Sequence, residues 1–302
     1  MNTSHLDHHE TVQAMEAATD VAGRSLWEDA RRRLFSNKAA VASMIILTIV
    51  FLAAIFGPMV SSHGYDEIRD YGAYLQSPTA EHWVGTDENG RDLFVRTLIG
   101  ARVSLAVGLV ATFVSLLIGV TWGATAGYFG GNVDNVMMRI VDILYSLPFI
   151  FFVIILMVIF GSSLWLMFVA IGAIEWLTMA RIVRGQTLSL KEKEFVEAAK
   201  AIGVPPLTIV RRHIIPNLVG PVVIYVTLTI PYAILAESFL SFLGLGVQEP
   251  LTSWGVLISE GANNMSSAPW TLLVPAGLMA VTLFCFNFIG DGLRDALDPK
   301  DR

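Results

Sequence analysis

Glu197-Ala198-Ala199-Lys200-Ala201-Ile202-Gly203, followed after nine residues by His213-Ile214-Ile215-Pro216, is the stretch on which the reading of this chain turns. It lies between two runs of membrane-grade hydrophobicity, one ending at Arg181 and one beginning near Ile214. Arg181, Arg184, Lys191, Lys193, Lys200, Arg211 and Arg212 put seven positive charges into this one connection. That excess marks the connection as cytoplasmic, because basic residues accumulate in the inner loops of membrane proteins. Glu194 to Ala201 is rich in helix formers, and Gly203 is placed to end that helix in a left-handed turn. Pro205 and Pro206 then suit the first turn of a second helix. The spacing predicts a short helix, a tight turn, and a helix feeding the next span. Phe195, Ala198, Ala199 and Ile202 fall at helical spacing and predict a narrow face, with small residues at its centre that let a partner's surface come close.

Working outward, 54% of the 302 residues are hydrophobic and 15% charged, with a mean hydropathy of +0.60. This exceeds what a soluble globular domain carries and predicts an all-α polytopic membrane protein. A crossing needs about 20 apolar residues, which places six transmembrane helices near 40–60, 103–125, 141–160, 164–181, 216–241 and 270–290. The third and fourth share a run, 143–174, that carries no charge. Thirty-two such residues are too many for one crossing, and Gly161-Ser162-Ser163 supplies the turn of a hairpin. Pro148, Pro231 and Pro275 lie within spans and are candidate kinks. With both termini inside, sixteen of the twenty Lys and Arg residues are cytoplasmic, against Arg69, Arg91, Arg96 and Arg102 outside. The topology is therefore consistent with the basic-residue bias.

The boundaries expected from this pattern are a cytoplasmic tail and amphipathic surface helix over 1–38 and a transmembrane region over 39–302. The latter includes an outer segment at 61–102, a cytoplasmic loop at 182–215 and an outer loop at 244–269. Ser25 to Phe35 reads as a helix on the inner membrane surface, with Arg31, Arg32 and Arg33 toward lipid phosphates. His5, His8 and His9 sit in a free polar tail, which gives no fixed geometry for a metal. The lone cysteine, Cys285, falls in the last span and reads as a packed thiol. The outer segment holds Gly85-Thr86-Asp87-Glu88-Asn89-Gly90-Arg91-Asp92 ahead of Arg96 and Arg102. This predicts a Gly-bounded turn, an Asp/Arg-rich cap and an amphipathic helix running into the second span. Its acids lack the ligand spacing of a calcium loop, so no metal and no cofactor is expected in this chain.

The Glu-Ala-Ala, Gly and Ile215-Pro216 spacing resembles the coupling loop of the membrane subunits of ATP-binding-cassette importers. His213, where the broad pattern more often has an apolar residue, resembles the peptide-transporting branch. Gly85-Thr86-Asp87 with Gly90-Arg91-Asp92 is similar to a segment of the C-type permeases for peptides and nickel, although Val95 stands where many relatives have serine. Gly130 to Asp134, Glu237 to Gly246 with Trp254-Gly255, and Asn287 to Pro299 extend the resemblance over about residues 24–302. It implies the six-helix permease fold of type I importers and no enzymatic activity in this chain. It implies a homologous permease partner, two cytoplasmic ATPase subunits that carry the ATP and Mg, and a periplasmic or lipid-anchored binding protein, all at a bacterial inner membrane. Glu197, Ala198, Ala199, Gly203, His213 and Pro216 would then contact or shape the ATPase docking surface.

Glu175 and Glu237 fall inside predicted spans. Intramembrane carboxylates are costly and normally face protein or water, so each is a candidate for a substrate pathway or for a buried structural role. The chain lacks the Gly-rich Lys-Ser/Thr loop of nucleotide-hydrolysing proteins, which excludes ATP hydrolysis by that route. A membrane hydrolase would need a nucleophile and base at membrane depth, yet His63, His82 and His213 fall in or beside loops. A proton-driven transporter is expected to show inverted repeats, and none is evident.

Overall fold

Asn37 ends one helix and starts the next. Its backbone closes α1 (Leu26–Ser36), and its side-chain Oδ1 accepts hydrogen bonds from the amides of Ala39 and Ala40, capping α2 (Lys38–Val60). The computed structural model describes residues 26–68, 74–160 and 163–297. Outside them lie the tail with His5, His8 and His9, the outer charge Arg69, the Gly161-Ser162 part of the expected turn, and the residues after Leu297. In α2, Pro58 has no N–H to give to the Ala54 carbonyl four residues back. Arg102 Nε donates to that oxygen at 2.9 Å, and its Nη2 donates to Ile55 O at 2.9 Å. A cation from the next helix thus satisfies the carbonyl that the proline leaves free.

Asp92 caps α3 (Leu93–Phe129) by accepting from the Val95 amide at 2.9 Å. This helix has 37 residues, so it extends about 55 Å and outruns the membrane. The outer helix expected before 103 and the second span are one continuous element. Gly130, at φ +65°, ends it and turns the chain into α4 (Gly131–Ser146). Next come α5 (Phe149–Phe160), α6 (Leu164–Leu190, capped by Ser163), α7 (Glu194–Ala201), α8 (Pro206–Ile209) and a π-helical turn over Val210–Ile214. The described residues end with α9 (Ile215–Asn217), α10 (Val219–Phe242), α11 (Trp254–Asn263) and α12 (Trp270–Leu297). Among the described residues no strand forms, and only Thr86 and Asp92 make an isolated bridge.

Among the described residues, five helices, α2, α3, α6, α10 and α12, are long and apolar enough to cross a membrane. The expected third span, 141–160, is not one helix: α4 and α5 meet at 85°, and they make a sixth crossing only as a bent pair. Leu147 explains the break. Its backbone is extended (φ −76°, ψ 127°), as steric conflict with the following Pro148 ring requires. With 12 residues, α5 is about 18 Å long and falls short of a 30 Å hydrocarbon core by itself. Pro231 and Pro275, by contrast, lie inside helices that run on through them.

The most extensive helix pair is α3 with α6, and three glycines in one row bring them together. A Cβ on Gly119 would lie 2.6 Å from Met179 Cβ. One on Gly123 would collide with the Ala180 carbonyl and lie 2.9 Å from the Arg184 nitrogen, and one on Gly127 would lie 2.8 Å from Thr187 Cβ. From the other side, Gly172 of α6 leaves room for Val114. Apolar packing gives little net drive between helices in lipid, so close backbone approach supplies dispersion contact instead. At the end of this pair that carries the basic loop, Arg184 makes a two-pronged ion pair with Asp134 of α4.

Candidate functional site

The loop after α6 folds as its local chemistry dictates. Gly203 sits at φ +77°, its amide donates to Lys200 O at 3.0 Å, and the Val204 amide donates to Ala199 O at 3.0 Å. These two bonds form the glycine-terminated helix end in which the last free carbonyls of α7 are satisfied. Pro206 occupies the first turn of α8. The wide π turn comes immediately before Ile215-Pro216, where proline has no N–H for the Arg212 carbonyl and its ring disfavours the tighter α repeat. The His213 carbonyl takes a hydrogen bond from Asn217 Nδ2 at 2.7 Å, and the His213 residue is half-buried.

Val196 and Ala199 of α7, with Ile209, Val210, Ile214 and Leu218, are buried against Ala124 of α3 and Met179 and Val183 of α6. Burying Val196 and Ile214 stabilises the loop by roughly 2 kcal/mol each. Lys200 Nζ stands 5.9 Å from the centre of the Tyr128 ring, adding a weak tether to the end of α3. The outward face differs by one position from the face expected. Ala199 points into the bundle, because Val196 and Ala199 form the inner stripe. The exposed side carries Phe195, Glu197, Ala198 and Ile202, joined by Leu207 from α8. Ile202 is 80% exposed and Leu207 68%. Gly203 and Pro216 are also exposed.

Glu175 and Glu237 occupy different surroundings. Glu175, half-buried in α6, lines a cavity of about 510 Å³ beside the α4–α5 break, with Tyr145, Pro148, Phe152 and Thr178. Next to it, Arg181 pairs with Asp142 at 2.9 Å and stands 4.2 Å from the centre of the Tyr145 ring. Glu237 is fully buried in α10. Its Oε2 accepts from Ser104 Oγ at 3.1 Å and its Oε1 from Ser241 Oγ at 2.7 Å. Ser104 Oγ in turn accepts from the Trp254 amide at 3.1 Å, and Ser253 Oγ caps α11 at the Val256 amide. The carboxylate therefore joins α3, α10 and the start of α11 through hydroxyls. Glu237→Gln is expected to loosen this junction and lower the unfolding temperature in detergent; unchanged melting would mean that the carboxylate does not hold α3, α10 and α11 together.

The 79–96 segment is organised by charge. Arg91 Nε meets Asp87 Oδ2 at 2.7 Å and Arg91 Nη1 meets Glu249 at 3.0 Å, while the Arg91 amide donates to Asp87 Oδ1. Arg96 is fully buried, 3.1 Å from Asp87 and 3.6 Å from Glu260, though none of its nitrogens makes an aligned hydrogen bond. Burial raises the Glu260 carboxyl above the usual carboxylate range in spite of Arg96 beside it. Sequence reading gave an Asp/Arg-rich cap followed by an amphipathic helix and did not foresee the burial of Arg91 and Arg96, since Glu249 and Glu260 arrive from more than 150 residues away. It also passed over the Gly119, Gly123 and Gly127 row, whose four-residue repeat was visible.

Comparison with known proteins gives the family. Residues 119–302 match the family described as binding-protein-dependent transport system inner membrane component. The chain belongs to that family. Residues 25–78 of this inner-membrane component match a second model, the N-terminal TM domain of oligopeptide transport permease C. The chain is 58% identical over 295 residues to the oligopeptide transport system permease protein OppC of Escherichia coli K12, covering 97% of each chain. It is 47% identical over 279 residues to the dipeptide transport system permease protein DppC of Bacillus subtilis, covering 92% of this chain and 87% of that one. Among solved structures, a chain of the MetNI methionine ABC transporter in inward-facing conformations is similar at a TM-score of 0.53 and 22% identity. The likeness covers 68% of this chain and 96% of that chain, and establishes the all-helical importer-permease fold.

Proposed function

We propose that this chain is the transmembrane permease subunit of an ATP-driven oligopeptide importer, of the same kind as the C subunit of oligopeptide permeases. One observation carries the reading: its similarity along 97% of its length to a permease named for oligopeptide transport. A homologous permease completes the translocation pathway. Two ATPase subunits hold ATP and Mg, and a periplasmic or lipid-anchored protein delivers the peptide. The chain itself contributes no catalysis. It lies in the bacterial inner membrane with both termini and the 182–215 loop in the cytoplasm, an orientation supported by the distribution of Lys and Arg.

In this mechanism α7 is the coupling element. Glu197, Ala198, Gly203 and the apolar residues Phe195, Ile202 and Leu207 dock on the ATPase. Ala199 and the half-buried His213 hold that surface to the membrane helices from behind, and Pro216 shapes it through the π turn before it. Closure of the ATPase pair on ATP moves α7, and the cluster around Val196, Met179 and Val183 passes the motion to α3 and α6. The ATPase must contact α7 differently in its two states, since only differential affinity shifts the permease equilibrium. Glu175, at the cavity beside the α4–α5 break, is a residue of the pathway; Glu237 acts behind it by holding the outer loop.

The test is uptake of labelled di-, tri- and pentapeptides and nickel by cells lacking this chain, with ATP present and the proton gradient collapsed. Loss of tri- and pentapeptide uptake that re-expression restores without a gradient is expected. Loss limited to dipeptides would reassign the substrate, and dependence on the gradient would overturn the ATP-driven reading.

A further inference from the structure

Three side chains that the importer reading leaves unused meet at the end of the molecule opposite the basic loop. His63 follows α2 by three residues, His82 lies in the turn before α3, and Asp92 is the residue that caps α3. They are nineteen and ten positions apart, a spacing that matches no metal motif. In space, one ligand atom from each lies within 4.8 Å of the other two.

Each is held in place by local bonds, the His63 amide donating to Ser61 Oγ at 3.1 Å. The His82 backbone is fixed to Thr79, donating to its Oγ1 at 3.0 Å and accepting from its amide at 2.8 Å. Asp92 uses Oδ1 to cap α3 and turns Oδ2 to His82 Nδ1 at 2.8 Å. The His63 ring lies against the His82 ring, with centroids 4.7 Å apart and the planes tilted by 42°. The His63 side chain is only 9% exposed, yet its Nε2 is buried without a hydrogen-bond partner. Glu81 Oε1, on an exposed side chain, stops 3.9 Å away, too far to satisfy it. A buried ring nitrogen left unpaired costs about 1–3 kcal/mol, and buried polar atoms are rarely left so without a reason.

We infer that His63, His82 and Asp92 form a binding site for a zinc-class divalent cation, with Glu81 able to swing in as a fourth ligand. Two imidazoles and a carboxylate suit a borderline cation in tetrahedral geometry, whereas calcium and magnesium prefer all-oxygen sites. Ligand bonds of about 2.0–2.2 Å require the three side chains to close on the ion by small rotations. Coordination through His82 Nδ1 replaces its hydrogen bond to Asp92, with the neutral ring carrying its proton on Nε2. The bound ion clips the end of α2, the 79–85 turn and the start of α3 into one unit. It would therefore set the rigidity of the outer segment, beside the Arg96 network and the loop that Glu237 holds.

The test uses the full chain in detergent, purified through a tag without histidine, with His5, His8 and His9 replaced by Asn to remove the tail as a competing site. Zn2+ alone is titrated, and Co2+ is used to read coordination by its visible d–d bands. The expected result is about one Zn2+ per chain retained through desalting and a higher melting temperature with Zn2+ but not with Ca2+. In His63→Phe, which keeps an aromatic ring at this position and removes both ring nitrogens, affinity should fall at least tenfold and the cobalt bands should disappear. Glu81→Gln, on an exposed side chain, should fold normally and weaken binding by a smaller factor. Absence of stoichiometric zinc in the parent would overturn the site, as would equal affinity in the parent and His63→Phe; His82 and Asp92 would then be an ordinary hydrogen-bonded pair.

Discussion

Replacing Gly123 with leucine is expected to abolish accumulation of folded protein. The row of Gly119, Gly123 and Gly127 is what allows α3 and α6 to touch along their backbones, and Gly123 sits at its centre against the Ala180 carbonyl and the Arg184 nitrogen. These are backbone atoms of a packed helix and cannot rotate away. Inserting methylenes into well-packed cores costs about 1–3 kcal/mol where side chains can adjust, so roughly 3 kcal/mol or more is expected where they cannot. Separating the helices would also pull Arg184 from Asp134 and open the cluster that seats α7. The measurement is thermal unfolding in detergent together with the amount of protein in the membrane fraction. Gly185→Ala is the control, because a Cβ at Gly185 meets nothing within 4 Å. Near-normal melting of Gly123→Leu would show that α3 and α6 can repack, and that the close approach does not hold the fold.

What the sequence made legible was local. The α7 turn could be read because Gly203, Pro205 and Pro206 act on their own backbone, and each appears where its conformational preference predicts. The membrane character of α2, α10 and α12 followed from composition alone. The break at Leu147-Pro148 was not legible in the same way. A proline in an uncharged run is compatible with a tolerated kink or with a full break, and the neighbouring helices decide between them. The α7 face was misplaced by one residue because Phe195, Ala198, Ala199 and Ile202 make an acceptable helical stripe. Burial instead follows Val196 and Ala199, which meet Met179 and Val183. Arg96, Glu237 and the cluster of His63, His82 and Asp92 depend on partners distant in sequence. Only the fold reveals that Ser104 reaches Glu237 or that His63 reaches His82.

Changing Ile202 to aspartate is expected to cut peptide uptake more than tenfold while leaving the chain folded and in the membrane. Ile202 is the most exposed large apolar side chain of the loop, so its substitution removes almost no internal packing. A carboxylate there would place an unpaired charge in the interface proposed with the ATPase. Desolvating that charge costs several kcal/mol, far more than the loss of one isoleucine contact. Gly203→Val tests the same element by another route. No atom lies within 4 Å of the Cβ position, so the penalty comes from φ +77°, which a β-branched residue adopts only with strain. That strain acts on the angle between α7 and α8 and not on the contact surface. The two variants should therefore differ in kind. Ile202→Asp should lose co-purification of the ATPase subunits, whereas Gly203→Val should retain the ATPase but transport poorly for each ATP hydrolysed. If Ile202→Asp holds its ATPase and transports normally, the exposed face of α7 is not the coupling surface, and the apolar patch formed with Phe195 and Leu207 must serve another contact.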